Sequence, residues 1–549
     1  MKTGPMHSLL AIPLLLASLI WLSVSANAQV DPATLEKGRR LYLQHCFACH
    51  QMNGQGLKGT FPPLAKSDYL AADLDRSIRI LCEGLNGAVT VNGVKYDSMM
   101  PAVVINDEDA ASVLTYVHNA WGNTNGIVSA AQVSAVRAKT GFPTFQALSD
   151  AASFRPLPKP PEGFKLREVA RLPVNGTRLA SDGKGAHLYV MSGAGDVHRV
   201  DIATGKIRPV YKAVDYAVRR TNDIWPPVIS TAMTMDKEGR LYTVLNQQSA
   251  ATKPVQNHVM VYRTSGTSAE GDPINAHLWF ETNYHGNPAY IHAAENLAFG
   301  PDGFLYMGNG ARTDSNEANG DPNYYQGGEV HLTASMWRID PKTEPPTMEI
   351  YARGLRNPYG FAWNDKGEMF VTENGPDAHA PEELNMIERG NHYGFPYQFA
   401  DWTEKAYKHT PDAPPGLVFT RPIANLGPDG GFDGKPMFTF HPHSCPGGMV
   451  WLGNDFPENY RGTLMLVRFG NFIRDKGDSG FDVLQARLKK NAAGVYEANI
   501  HTVLAPLGRP IDIHQSGAGK LYILEYTRPT SPAFSFSMPG RIIELSVAK

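Results

Sequence analysis

Along the later two-thirds of the chain, a glycine turn followed by a short apolar-aromatic run recurs. The copies are Gly185-Ala-His-Leu-Tyr189, Gly239-Arg-Leu-Tyr242, Gly303-Phe-Leu-Tyr306, Gly367-Glu-Met-Phe370, Gly462-Thr-Leu-Met465 and Gly519-Lys-Leu-Tyr522. Most lie 54 to 64 residues apart, with one interval of 95. Asp or Asn precedes several of these turns, as hairpins prefer. Short apolar runs bounded by turns read as strands, and a similar strand at so long a period points to four-stranded units repeated around an axis. Six copies predict a six-bladed β-propeller. A sandwich of ordinary hairpins would need no such period. The long interval predicts an insertion between Gly375 and Pro436.

The first third has a helical pattern. Asp31-Pro32 reads as an N-cap with proline at the first helical position, and Leu35, Leu41 and Tyr42 follow at helical spacing. A second helix is predicted from Asn106, with Asp107, Glu108 and Asp109 in its first turn. Ala110, Val113, Leu114, Val117 and Trp121 form its apolar stripe, and Gly122 ends it. Ahead of both, Lys2 and an apolar run from Leu9 to Val24 lead to Ala26-Asn27-Ala28, the small-residue pattern of an export cleavage site. Between the two patterns, Arg155-Pro-Leu-Pro-Lys-Pro-Pro161 favours a stiff polyproline spacer. The expected organisation is a signal peptide over 1–28, an all-α domain over 29–141, a proline-rich linker over 142–160 and an all-β propeller over 161–549.

Composition supports the turn-rich reading: 52 glycines and 41 prolines in 549 residues, with 19% charged. A net charge of −2 excludes a nucleic-acid or anionic-membrane partner. No segment after the leader is apolar enough to span a bilayer, so a soluble periplasmic protein with no stable membrane insertion is expected. Of four cysteines, Cys46 and Cys49 share one motif, and Cys82 and Cys445 are expected as buried thiols.

Cys46-Phe-Ala-Cys49-His50 carries the first chemistry. Two thiols at this spacing add across the two vinyl groups of one haem, and the adjacent imidazole becomes an iron ligand. A zinc site would need a second ligand pair nearby, and a redox dithiol needs no following His. In Tyr96-Asp97-Ser98-Met99-Met100-Pro101 a thioether about fifty residues on is the expected distal ligand. Met100 is the choice and Met99 is read as a wall residue; His118 is a weaker rival, since on a helix it reads more often as a surface residue. Residues 30–125 resemble a class I cytochrome c domain, which implies one covalent haem c held by Cys46 and Cys49, with His50 and Met100 on the iron.

Three propeller segments are too specific to be scaffold. They are Ile291-His292-Ala-Ala-Glu-Asn-Leu-Ala-Phe-Gly-Pro-Asp302-Gly; Ala352-Arg-Gly-Leu-Arg356-Asn357-Pro358-Tyr-Gly360 with Thr372-Glu-Asn-Gly375-Pro376-Asp377 and Glu383-Leu-Asn…Tyr-Gly-Phe-Pro396 after it; and His441-Pro-His443-Ser-Cys-Pro-Gly-Gly-Met449. Together they resemble the soluble quinoprotein glucose/sorbosone dehydrogenases over about 160–545, the third segment being closer to the sorbosone branch. The resemblance implies pyrroloquinoline quinone (PQQ) and Ca²⁺ above the propeller axis. It implies His292 as general base and Arg356 at the quinone oxygens. Asn357, His443, Arg468 and Arg509 would bind PQQ, and the backbone carbonyls of Gly375 and Pro376 would bind Ca²⁺. The chemistry agrees: a tricarboxylate needs cations at its rim, Ca²⁺ favours oxygen donors, and a neutral imidazole suits proton removal near pH 7.

Three positions depart from the family pattern: Ile291 where an acid often adjoins the His, Asn309 where Asp is frequent, and Ile511 where glucose-type members have arginine. The His would lack its usual orienting carboxylate unless another residue supplies one. The expected activity is oxidation of a sugar, sugar aldehyde or related alcohol. Electrons would pass to the chain's own haem and on to a downstream cytochrome or terminal oxidase. The competing readings are a Ca²⁺-dependent propeller lactonase, which would need side-chain carboxylates around its metal, and a non-catalytic electron-transfer protein.

Overall fold

A computed structural model describes Met1 and residues 30–51, 53–56, 61–85, 87–97, 100, 102–103, 105–124, 126–141, 154–172, 176–213, 230–249, 253–287, 292–318, 322–400, 405–428, 431–432, 435–436, 439–471, 479–526 and 539–548. The rest of the expected signal peptide, Met99, Ile291 and the first part of the linker lie outside these residues.

The N-terminal region is helical. Pro32–His45 starts at Asp31, whose carboxylate accepts from the amides of Ala33 and Thr34. Asp107–Val117 starts at Asn106, capped onto the Asp109 amide. Leu74–Glu83 and Ala130–Thr140 complete the packing around Tyr42, Ile78, Val113, Leu114 and Val133. The first helix crosses the Asp107–Val117 helix at Gly38, where a Cβ would lie 2.1 Å from the Ser112 carbonyl oxygen. A small hairpin, Val89–Val91 with Val94–Tyr96, interrupts the helices.

Two expectations fail here. The helix from Asn106 ends at Val117, not at Gly122. Trp121 takes a positive φ of 54° in the turn beyond, and its ring still packs on Tyr42, with centroids 4.8 Å apart. His118 is not a surface residue; as the C-cap of that helix it is turned inward and only 2% exposed.

From Phe164 onward the described residues form six sheets around an axis, with two small two-stranded ribbons beside them, and the repeat read from the sequence is the turn into the second strand of each of the six. Those strands are His187–Ser192, Leu241–Ser249, Leu305–Asn309, Met369–Glu373, Thr463–Arg468 and Lys520–Tyr526. The six repeat glycines all have positive φ, from 65° to 81°. The innermost strands are Gly176–Ala180, Met233–Met235, Ala294–Phe299, Pro358–Trp363, Pro446–Leu452 and Arg509–Gln515; each contacts the next, and the last contacts the first. We number the blades one to six in this order.

Blade six is closed by the start of the propeller: Phe164–Leu172 pairs antiparallel with Gly540–Val547 as its outermost strand. Blade four has three described strands, and the expected insertion follows the last of them, Glu383–Ile387. Apolar and aromatic side chains fill the spaces between blades; Tyr242 and Trp279 of blade two meet Leu305 and Trp337 of blade three. The described end of the proline-rich stretch lies against the propeller. Phe154 sits 5.1 Å beneath the guanidinium groups of both Arg171 and Arg541, and Leu157 packs with Phe164. Among the described residues no helix is long and apolar enough to cross a membrane. Cys82 and Cys445 are free thiols, Cys82 buried and Cys445 partly so.

Candidate functional site

The short helix Phe47–His50 turns His50 inward behind Cys46 and Cys49. The His50 Nδ1 lies 3.0 Å from the carbonyl oxygen of Pro62. A carbonyl only accepts, so Nδ1 carries the proton and Nε2 keeps its lone pair. Burial also holds this imidazole below its usual pKa, in the neutral form a metal needs. Met100 is fixed by reciprocal backbone bonds with Leu85, both 2.9 Å. His50, Met100 and Cys46 line one cleft, otherwise walled by Pro62, Leu70, Ile80, Leu81, Val113 and other apolar groups. An apolar lining with an imidazole, a thioether and a thiol set into it fits a haem.

The second site is assembled where the inner strands of blades three, four and five begin. The His292 amide donates to the Ala311 carbonyl (3.1 Å), and the Ala311 amide to the Arg356 carbonyl (2.6 Å). Gly310 allows this approach, since a Cβ there would lie 2.5 Å from the His292 Cβ. Arg356 is 3% exposed. Its guanidinium pairs with Asp314 and donates to the carbonyls of Asp314 and Asn374, both 3.2 Å. Asp314 also accepts from the Tyr407 hydroxyl (2.6 Å) and the Asp377 amide (3.1 Å). Burial opposes its ionisation, but Arg356 and these donors outweigh it and hold the carboxyl below the usual range.

Asn357 is buried, and its amide oxygen finds no hydrogen-bond partner among the described residues. A buried acceptor left open in this way fits a bound group that donates or is bridged to it. The Gly375 amide donates to Glu382 at 2.5 Å. Burial pushes the Glu382 carboxyl up to about 7, against the opposing pull of this amide, Arg356 and the amides of Cys445 and His443. His443 has a positive φ of 60°, and its Nε2 lies 3.2 Å from the His379 Nδ1. These bonds bring His292, Arg356, Asn357, Gly375 with the adjoining Pro376, and His443 into one connected region. Arg509 joins it from blade six, donating to the carbonyls of Gly470 and Asn471 (3.2 Å each), while the Gly470 amide bonds Ser444 next to His443. Arg468 turns to its own blade, in a bidentate pair with Asp482 at 2.9 and 2.6 Å.

Sequence reading missed four residues. Glu295 places Oε1 3.3 Å from the His292 Nδ1. In a regular strand, residues three apart point to opposite faces. A register break between Ala294 and Asn296 leaves Glu295 as an extra residue and turns it to the same side. Asp314 and Glu382 came from loops with no pattern to mark them. Arg178 closes the axis: it donates to the carbonyls of Thr231 (2.8 Å) and Glu295 (2.9 Å), pairs with Asp512 (3.2 Å) and covers the Tyr359 ring. Of the departures, Asn309 is buried and donates to the Leu332 carbonyl at 2.8 Å. Ile511 packs between blades six and one.

Comparison with known proteins finds two family models on this chain: glucose/sorbosone dehydrogenase over residues 187–526 and cytochrome c over 35–121. Cytochrome c-552 of Thermus thermophilus is 38% identical over 124 residues, 21% of this chain and 79% of that protein. Quinoprotein glucose dehydrogenase B of Acinetobacter calcoaceticus is 26% identical over 151 residues, 22% of this chain and 31% of that protein. The structure of the PQQ-bound aldose sugar dehydrogenase of Streptomyces coelicolor superimposes with a TM-score of 0.46 and 20% identity, covering 71% of this chain and all of that one. The propeller, its six repeat turns and a family match over more than half the chain lead to one conclusion: the chain belongs to the glucose/sorbosone dehydrogenase family and carries a cytochrome c domain ahead of the propeller.

Proposed function

We propose that the protein is a quinohaemoprotein dehydrogenase that oxidises a sugar, sugar aldehyde or related alcohol and delivers the electrons to its own haem c. The observation that carries this reading is the grouping of His292, Arg356 and the open amide oxygen of Asn357 at one end of the axis, in a chain that also sets His50 and Met100 into one apolar cleft. PQQ bound there, with Ca²⁺ on the Gly375 and Pro376 carbonyls, supplies a polarised quinone that accepts two electrons.

The remaining chemistry belongs to the chain. Asn357 bonds the cofactor edge, and Arg356, braced by Asp314, offers positive charge where negative charge develops. His443 and Arg509 bind the carboxylated rim; Arg468, expected there too, is committed to Asp482. His292 removes the substrate hydroxyl proton as the adjoining carbon is oxidised. At the other site Cys46 and Cys49 would hold haem through thioethers, and His50 and Met100 would ligate its iron and make it a one-electron carrier. Residues 1–28 act as the export signal to the periplasm, 29–141 and 161–549 are the two domains joined by 142–160, and a cytochrome or terminal oxidase removes the electrons.

The test is to add PQQ and Ca²⁺ to the purified haem protein, offer aldoses, sorbosone and simple alcohols, and follow the haem spectrum. Haem reduction with at least one substrate, dependent on PQQ, is expected; absence of both reduction and PQQ binding contradicts the proposal.

A further inference from the structure

The family pattern leaves His292 without its customary acidic neighbour, yet the structure gives it one. Glu295 Oε1 stands 3.3 Å from Nδ1, and both side chains are largely buried, 11% and 18% exposed. The contact depends on the bulge at Glu295, which is clamped on both sides. Arg178 donates to the Glu295 carbonyl at 2.9 Å, and the Asn296 side-chain amide donates to the Tyr359 carbonyl at 2.5 Å. The Ala294 amide is held in turn by Asn246, at 3.3 Å. A carboxylate only accepts, so the proton of a neutral imidazole at this contact must sit on Nδ1. That leaves the lone pair on Nε2, the nitrogen away from Glu295.

We infer that Glu295 is the positioning residue for His292: it fixes the Nδ1–H tautomer and so makes Nε2 the proton acceptor. This rests on the reading of His292 as general base. It also explains how the chain dispenses with an acid at Asn309. That side chain is committed to the Leu332 carbonyl, and the orienting carboxylate arrives from the strand bulge instead. Glu295 does not touch the reacting atoms in this scheme. It acts through the imidazole, and it steadies the imidazolium formed when Nε2 takes the proton.

The test uses the full haem-loaded chain, reduced, with histidine labelled by ¹⁵N, at a pH where the imidazole is neutral. The His292 signals are identified by their loss in His292→Ala. The expected spectrum has a protonated Nδ1 and a bare Nε2. In Glu295→Gln, whose amide can donate as well as accept, that preference is lost. Turnover of the PQQ- and Ca²⁺-loaded variant falls on the order of 10²-fold or more in kcat with KM little changed. Glu295→Ala behaves alike, and its unaltered circular dichroism and haem spectrum exclude misfolding. An Nε2–H tautomer in the parent protein, or a Glu295→Gln variant with the parent's tautomer and kcat, overturns the inference. If the tautomer responds to Glu295 but His292→Ala still turns over, the hydrogen-bonding role stands and the assignment of the base falls.

Discussion

The two candidate sites solve opposite problems. The haem cleft is apolar, and its few polar groups are committed in advance: His50 to Pro62, and the Met100 backbone to Leu85. The axial site is crowded with buried charge, each held by another: Arg178 with Asp512 and Arg356 with Asp314. A covalently attached, mostly apolar cofactor asks its pocket for a greasy wall and two ligands. An anionic cofactor held without covalent bonds asks for cations, and buried cations demand partners. The cleft should therefore tolerate polar truncation, and the axis should not.

The largest effect expected from breaking this contrast is at Asp314. Asp314→Ala strands the Arg356 guanidinium in a buried site, which destabilises the propeller by about 3–5 kcal/mol and removes cofactor-dependent turnover. Chemical denaturation measures the first, and the haem absorption should be unchanged. Next, His292→Ala abolishes substrate-driven haem reduction and leaves the haem spectrum intact; retained turnover removes His292 as the base. On the other side, Met100→Ala alters the ligand spectrum of the iron and lowers its reduction potential, since thioether ligation raises it, with propeller stability unaffected. An unchanged spectrum passes the ligand role to another residue.

The smallest effect concerns the insertion after blade four. Its His392 accepts from the Gly394 amide at 3.1 Å and packs on Tyr397 and Phe419. Burial first, then Arg353, lower its pKa from 6.5 to about 4. As pH falls from 6.5 toward 4 the unfolded chain binds the proton before the folded one, so stability present above this window is lost within it. Hydrogen exchange over the insertion should rise across that range, and His392→Gln should flatten the rise.

What the sequence made legible divides along the same line. Cys46, Cys49 and His50 lie within five residues, and their spacing is itself the chemistry. The repeat turns were legible because each must place a glycine at positive φ before a buried strand. The closure of blade six was not, since Phe164–Leu172 and Gly540–Val547 lie at opposite ends of the propeller and ordinary strand patterns do not name their partners. Glu295 was hidden by its bulge, which reverses the face that alternation assigns. Asp314 and Arg178 were hidden because pairing of buried charges is decided across blades. The Asn106 helix was read one turn too long because Trp121 keeps its packing on Tyr42 after the helix has ended.

The central claim is that the two sites work as one electron path within a single chain. It is tested most directly by rapid mixing of the PQQ- and Ca²⁺-loaded protein with substrate, recording haem reduction at several protein concentrations. The account predicts a first-order reduction whose rate does not change with protein concentration. A rate that rises in proportion to protein concentration, or a haem that stays oxidised while substrate is consumed, contradicts it.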